Sequence, residues 1–405
     1  MSPFRTKLAA GVLLGLVVWL WPAAWRFVAP ALSPFLAVCA TLAVRSLSLL
    51  FCFSVPMLLG VLIRRRFWCR HLCPVGLITE SCGKLRGTRP PAAGNSSAPA
   101  FSWPPARFLA LATLGGAFVG YPLFLWMDPL ALFGGFFNVT RITRPGITAF
   151  SAAGLPLVML ISVLFPGAWC SRICPLGGTQ DLLALAAQLW RKTNGPRLGQ
   201  GTLSRGRRAV IGLGAGTVLA TLIPRSWAGR QPPLRPPGAV DEATFQGGCI
   251  RCGSCSRACP TGIIEPGIER NDVAGFLAPR LRFRGAAYCL QDCNLCGRVC
   301  PTGVIRPLAL PDKNRRVIGI AAIDHSACFL ALEKECGVCV PRCPRAAIVD
   351  IFVRETYQSA VRVLRDRCNG CGACVGICPP KVITVEAGRR PVSASFTRGE
   401  EGQVS

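Results

Sequence analysis

Four groups of four cysteines, each closing on Cys-Pro, constrain this chain more than anything else in it. Cys249, Cys252, Cys255 and Cys259 precede Pro260, and Cys368, Cys371, Cys374 and Cys378 precede Pro379, both with the spacing of a bacterial ferredoxin run. Between them, Cys289, Cys293, Cys296 and Cys300 end at Pro301, and Cys328, Cys336, Cys339 and Cys343 end at Pro344; these keep the last three cysteines and lengthen the first gap. Three cysteines, each two residues from the next, wrap one face of a cubane with backbone amides turned to its sulfurs, while the fourth departs on a helix. In two-cluster ferredoxins that fourth cysteine ligates the other cluster, so four motifs predict two pairs and four 4Fe-4S clusters. An isoleucine stands at the same offset after each Cys-Pro, as Ile264, Ile305, Ile348 and Ile383. These are expected to pack over the clusters, where an apolar shell limits water. A disulfide scaffold does not demand this spacing, and structural zinc is disfavoured by the triple-cysteine grouping and by a total of two histidines.

A second constellation lies in the other half. Trp68-Cys69-Arg70-His71-Leu72-Cys73-Pro74 recurs as Trp169-Cys170-Ser171-Arg172-Ile173-Cys174-Pro175, each with a glycine two residues past the proline. Cysteines four apart share a helix face, so Cys69 with Cys73 and Cys170 with Cys174 offer an additional metal centre, a redox dithiol, or buried thiols that pack helices. Cys39, Cys52 and Cys82 match no pattern and read as structural; His71, Arg45 and Asp128 read as snorkelling or capping groups.

The 405 residues are 51% hydrophobic, enough to look for membrane segments. Five apolar stretches, at about residues 8–28, 46–63, 106–126, 147–168 and 209–224, read as four spans and a shorter fifth segment. Residues 30–44 read as an interfacial or re-entrant piece. The first 208 residues hold 21 of the 46 basic residues but 3 of the 19 acidic ones, with the Arg64 to Arg66 cluster, Arg191, Lys192, Arg205, Arg207 and Arg208 in short loops. The excess of 18 positive charges in this part is thereby explained by the positive-inside rule, with no nucleic-acid partner, and the excess of 9 in the remainder reads as a solvated surface or a docking face for an acidic protein partner. The fifth segment follows Ser204-Arg205-Gly206-Arg207-Arg208 and has the look of a twin-arginine export signal, with a cleavage option near Ala228. The expected plan is a polytopic α-helical membrane domain (1–190) carrying the duplicated motifs, an export or anchor segment (204–228), a linker (229–240), an α+β ferredoxin-like domain with four clusters (241–388) and a disordered tail (389–405). That places the protein in the bacterial inner membrane, with the lipid bilayer as a partner and the iron-sulfur domain in the periplasm.

On these motifs, residues up to about 190 resemble the NapH or MauN type of membrane protein, with duplicated Cys-x-x-x-Cys-Pro motifs, and residues from about 204 resemble the NapG or MauM type of exported ferredoxin-like protein. The chain is similar to a fusion of the two. It departs from the NapH pattern in having no cysteine between Pro175 and Arg208. The resemblance implies electron transfer from quinol or a membrane donor to a periplasmic oxidoreductase, of the nitrate reductase or methylamine dehydrogenase kind, as a redox component and not a stand-alone catalyst. By analogy with other four-cluster proteins, the first motif pairs with the fourth and the second with the third. The alternative is an assembly or maturation factor that delivers electrons, metal or thiol reduction to a client enzyme.

Overall fold

The computed structural model describes residues 3–20, 28–46, 51–85, 105–138, 152–192, 200–225, 233–267, 275–332, 334–354 and 357–387. The cleavage option near Ala228 and the tail from 389 lie outside them. Two compact units emerge: Met1–Arg282 with Asp292–Lys313, and Phe283–Gln291 with Asn314–Ser405. They do not divide at the proline-rich linker.

The first unit is mostly helical, and two of its helices start where proline and a capping side chain coincide. Pro34 opens the helix Pro34–Val44 behind Ser33, whose Oγ accepts from Leu36 N at 3.4 Å. Pro129 opens Pro129–Asn138 behind Asp128, which accepts from Leu130 N at 2.9 Å and Ala131 N at 3.3 Å. Ser33 Oγ in turn donates to Asp128 Oδ2 at 2.6 Å, so the two caps tie their helices together in the interior. Asp128 thus caps, as expected, and Arg45 closes Pro34–Val44 in the left-handed region. A single core runs from Phe35, Leu36, Leu125 and Leu130 through Trp68, Cys73, Trp169 and Cys174 to Ile250 and Cys252.

The expected membrane domain is not what these residues build. Among the described residues, no helix is long and apolar enough to cross a membrane. A helix rises about 1.5 Å per residue and a hydrocarbon core is about 30 Å thick. Against that, the apolar runs are cut short: Phe51–Ile63 has 13 residues with Pro56 inside, Pro105–Phe118 has 14 and stops before Gly120 at φ +88°, and Gly154–Leu164 has 11. The multi-pass inner-membrane placement, and the periplasmic position of the C-terminal domain deduced from it, therefore lose their basis. The supposed fifth segment lies within the helix Gln200–Arg225, which packs along Pro105–Phe118. Gly115 of Pro105–Phe118 meets the Leu213 carbonyl and Gly216 the Ala112 carbonyl with no room for a Cβ, so one glycine on each helix serves their close packing. The basic cluster has a local task as well. Arg65 Nε donates to Asp181 Oδ1 at 2.9 Å, Arg66 Nη2 to Oδ2 at 2.7 Å, and Arg107 Nη2 lies 3.5 Å from Oδ2. Asp181 is 1% exposed. Large apolar side chains, including Leu13, Leu160 and Ile211, nonetheless remain exposed along these helices.

The ferredoxin part is built from short antiparallel ribbons. In the first unit β1 (Ile264–Pro266) pairs with β2 (Pro279–Leu281). In the second, β3 (Ile320–Ile323) pairs with β6 (Ile383–Glu386), and β4 (Ile348–Val353) with β5 (Gln358–Val363). Two-stranded ribbons are marginal alone in water and need a further core.

Candidate iron-sulfur sites

In the second unit, two cavities are each lined by four cysteines, three from one motif and one from its neighbour. Cys368, Cys371 and Cys374 meet Cys343, under Ile348 and Ala321. Cys328, Cys336 and Cys339 meet Cys378, under Ile383 and Ile323. Burial, then the thiols of Cys371, Cys368 and Cys343, push Cys374 up to about 12; burial, then Cys336, Cys378 and Cys328, push Cys339 up to about 11. The turn that wraps the first set needs Gly372 in the left-handed region at φ +82°, with the Phe283 ring where a Cβ would go.

The first unit repeats the arrangement. Cys249, Cys252 and Cys255 line a cavity with Cys300, Ile250 and Ile305. Burial, then Cys252, Cys249, Cys300 and Cys296, raise Cys255 well above an ordinary thiol. The Ser254 hydroxyl lies 3.4 Å from Cys252 Sγ. Gly135 of the helix Pro129–Asn138 also lines this cavity, and Arg257 Nη1 donates to the Phe137 carbonyl at 2.9 Å. The motifs therefore pair as first with second and third with fourth, which corrects the expected pairing of first with fourth and second with third. Ile264, Ile305, Ile348 and Ile383 are all buried, and the last three each line the cavity that receives the fourth cysteine of their own motif. Cys259, Cys293 and Cys296 fall in the first unit. Cys289 falls in the second, where its N–H donates to the Cys371 carbonyl at 2.9 Å.

Four thiolates per cavity, in a water-poor apolar lining, fit a 4Fe-4S cubane. Backbone and hydroxyl donors at the sulfurs, such as Ala347 N on Cys343 Sγ at 3.3 Å, suit the reduced, more negative cluster. No disulfide joins any of the 23 cysteines.

The Trp-Cys motifs are brought together too. The Thr79 hydroxyl lies 3.2 Å from Cys170 Sγ, and Gln180 Nε2 donates to Cys69 Sγ at 3.1 Å. Burial, then the neighbouring thiol of Cys170, push Cys69 up to about 12, and Cys73 and Cys174 are raised well above an ordinary thiol, each by burial and then by Cys69 and Cys170. Sequence reading missed Thr79 and Gln180. Counted from the first cysteine of each motif they occupy the same place, so aligning the two copies would have found them.

Family models for a 4Fe-4S dicluster domain match residues 248–304 and 320–379, the same two pairs. The chain is 35% identical over 154 residues to the ferredoxin-type protein NapF of Haemophilus influenzae, covering 38% of this chain and 78% of the relative. It is 31% identical over 209 residues to the methylamine utilization ferredoxin-type protein MauM of Methylophilus methylotrophus, covering 49% and 89%. The chain belongs to the NapF and MauM family of ferredoxin-type proteins. As a member of that family it is an iron-sulfur protein of the electron-transfer type. It is also 28% identical over 176 residues to the ferredoxin-type protein NapG of Escherichia coli, covering 42% and 74%. For the N-terminal half, a 4Fe-4S binding domain matches residues 46–91 and 147–193, which does not establish a fusion with a NapH or MauN type protein. No solved structure matches.

Proposed function

We propose that this chain is a relay of four 4Fe-4S clusters that takes electrons one at a time from a donor and passes them to a partner oxidoreductase. The observation that carries the reading is the exchange of the fourth cysteine between the third and fourth motifs, which holds two redox centres in one small packed body, together with Cys300 at the cavity of the first motif. A cubane supplies a reversible one-electron couple; the chain holds it, keeps water from it and sets its potential through N–H and O–H donors to sulfur. The remaining cluster is assigned from the cysteine spacing of the second motif in the sequence. The MauM relatives are by name proteins of methylamine utilization, and the NapG resemblance implies nitrate reduction, so the acceptor is a redox enzyme of such a system. The donor implied by the resemblance is a quinol; the relay itself needs only a one-electron reductant.

Ligand exchange gives the test. Cys378→Ala should strip the cluster held by Cys328, Cys336 and Cys339 while sparing the one held by Cys368, Cys371 and Cys374; Cys343→Ala should do the reverse. Iron analysis with EPR of the reduced protein reads which cluster is lost. Loss of the cluster of the mutated motif itself would sink the paired relay.

A further inference from the structure

The hairpin of β4 and β5 has an outer edge that borders a groove of about 510 Å³, within the size range of ligand sites. Side chains alternate between the two faces of a strand, and β4 obeys this, giving the groove only Ile351 and Val353. All six residues of β5, Gln358–Val363, line it, so the groove runs along this strand's edge as well as one face. Leu364 N donates to the Ala347 carbonyl at 2.7 Å. The alternation of an antiparallel ladder then turns the peptide groups of Gln358, Ala360 and Arg362 towards β4, and those of Ser359, Val361 and Val363 away from it. Ala321 and Ile323 of β3 likewise turn theirs away from β6, because Asp324 N donates to the Val382 carbonyl at 3.0 Å. Both edges border the groove, and among the described residues neither has a further strand beside it.

Resting on the relay reading and naming where its acceptor docks, we propose that an extended acidic segment of the acceptor enzyme pairs with β5 along this groove as an added strand. In strand addition the main-chain bonds of the edge give affinity and the neighbouring side chains give selectivity. Here the side chains select an anion. His325, Arg362 and Arg365 line the groove, and among the described residues no carboxylate does. Ile351, Val353 and Ala360 offer an apolar floor to the alternate side chains of such a strand. A small organic anion would engage the guanidinium groups and leave most of an edge of about 20 Å unpaired. A second copy of this chain, also at +27, is repelled. The place is right for electron transfer as well. Ile323, Cys328, Leu330 and Val361 line both the groove and the cavity of Cys328, Cys336, Cys339 and Cys378, so the docking groove and that cluster site share a wall. Cys328, Cys336 and Cys339 are half-buried, whereas Cys368, Cys371 and Cys374 of the paired site are buried. Within the second unit, the groove thus adjoins the less shielded of the two sites.

The probe is a peptide of alternating glutamate and valine, about eight residues long so as to span β5, titrated into the cluster-loaded full-length chain. Calorimetry should show binding, and amide exchange over residues 358–363 should slow. Arg362→Glu should weaken the binding about tenfold or more, and so should N-methylation of one of the peptide's two alternate sets of amides, which removes main-chain bonds and leaves the charge alone. Ser359→Pro takes an outward donor from the edge, spares the ladder to β4 and should act in the same direction. Both variants should keep the wild-type iron content. No binding by wild type, a lysine-valine peptide that binds as tightly, or undiminished binding by both N-methylated peptides overturns the proposal. Free succinate that displaces the peptide at equal concentration, or a self-association that Ser359→Pro abolishes, also overturns it, in favour of a small anion or a second copy. If the relay reading is wrong instead, iron falls well below about 16 atoms per chain while the peptide still binds and Arg362→Glu still weakens it.

Discussion

Asp128 is wholly buried, and burial raises its carboxyl to about 6 even though Ser33 and the amides of Leu130 and Ala131 favour the charged form. A carboxyl with a raised folded pKa contributes stability that is complete below its unfolded value near 4 and is lost as pH rises through about 6. Between pH 5 and 7 the fold should therefore lose roughly 1 kcal/mol from this group alone. Asp128→Asn keeps an acceptor for the helix cap and removes the titration, so denaturant midpoints of wild type and variant should diverge in the variant's favour as pH rises. Gly372→Ala is expected to cost about 1–3 kcal/mol, because it forces a side chain into a left-handed turn and against Phe283. Thermal melts of the cluster-loaded chain measure it. At this scale much was legible beforehand. The isoleucine after each Cys-Pro could be placed over a cluster because spacing fixes its distance from a ligand. Thr79 and Gln180 share one place in the two copies, but the distant thiol that each meets was not legible in the sequence.

Among the elements, Asp181 joins the helix Pro175–Lys192 to the turn at Arg65 and Arg66 and to Arg107 on Pro105–Phe118. Burial pushes its carboxyl up, but the Arg66 and Arg65 hydrogen bonds and charges more than offset this and leave it below the usual range. Asp181→Ala strands Arg66 and Arg107 in a partly buried place and should cost about 3 kcal/mol in urea denaturation. Arg65→Ala, whose side chain is 57% exposed, should cost well under about 1 kcal/mol. The apolar runs were plain in the sequence, yet their helix lengths were not, because Pro56, Gly120 and Gly216 interrupt or repack them. Arg65 and Arg66, two of the basic residues that suggested a topology, bind a buried carboxylate instead. Cysteine spacing likewise fixed that fourth ligands are exchanged, but not between which motifs. Chain proximity decided that, joining first to second and third to fourth.

For the whole molecule, a net charge of +27 should speed encounter with an acidic redox partner. Electron transfer to such a partner should slow about tenfold or more between roughly 50 and 500 mM salt, as the screening length falls from above about 10 Å towards a few ångström. Stopped-flow reduction of the partner reads this, with a small neutral dye as the salt-insensitive comparison. The crossed contacts of Thr79 with Cys170 and Gln180 with Cys69 bear on ancestry. A gene encoding one copy of the Trp-Cys unit would have made a protein whose sulfur cradle opened onto empty space, closed only by a second molecule facing it. Duplication within one chain turned that encounter into a covalent certainty. It also freed the two copies to diverge, one to threonine and the other to glutamine, without either losing its counterpart.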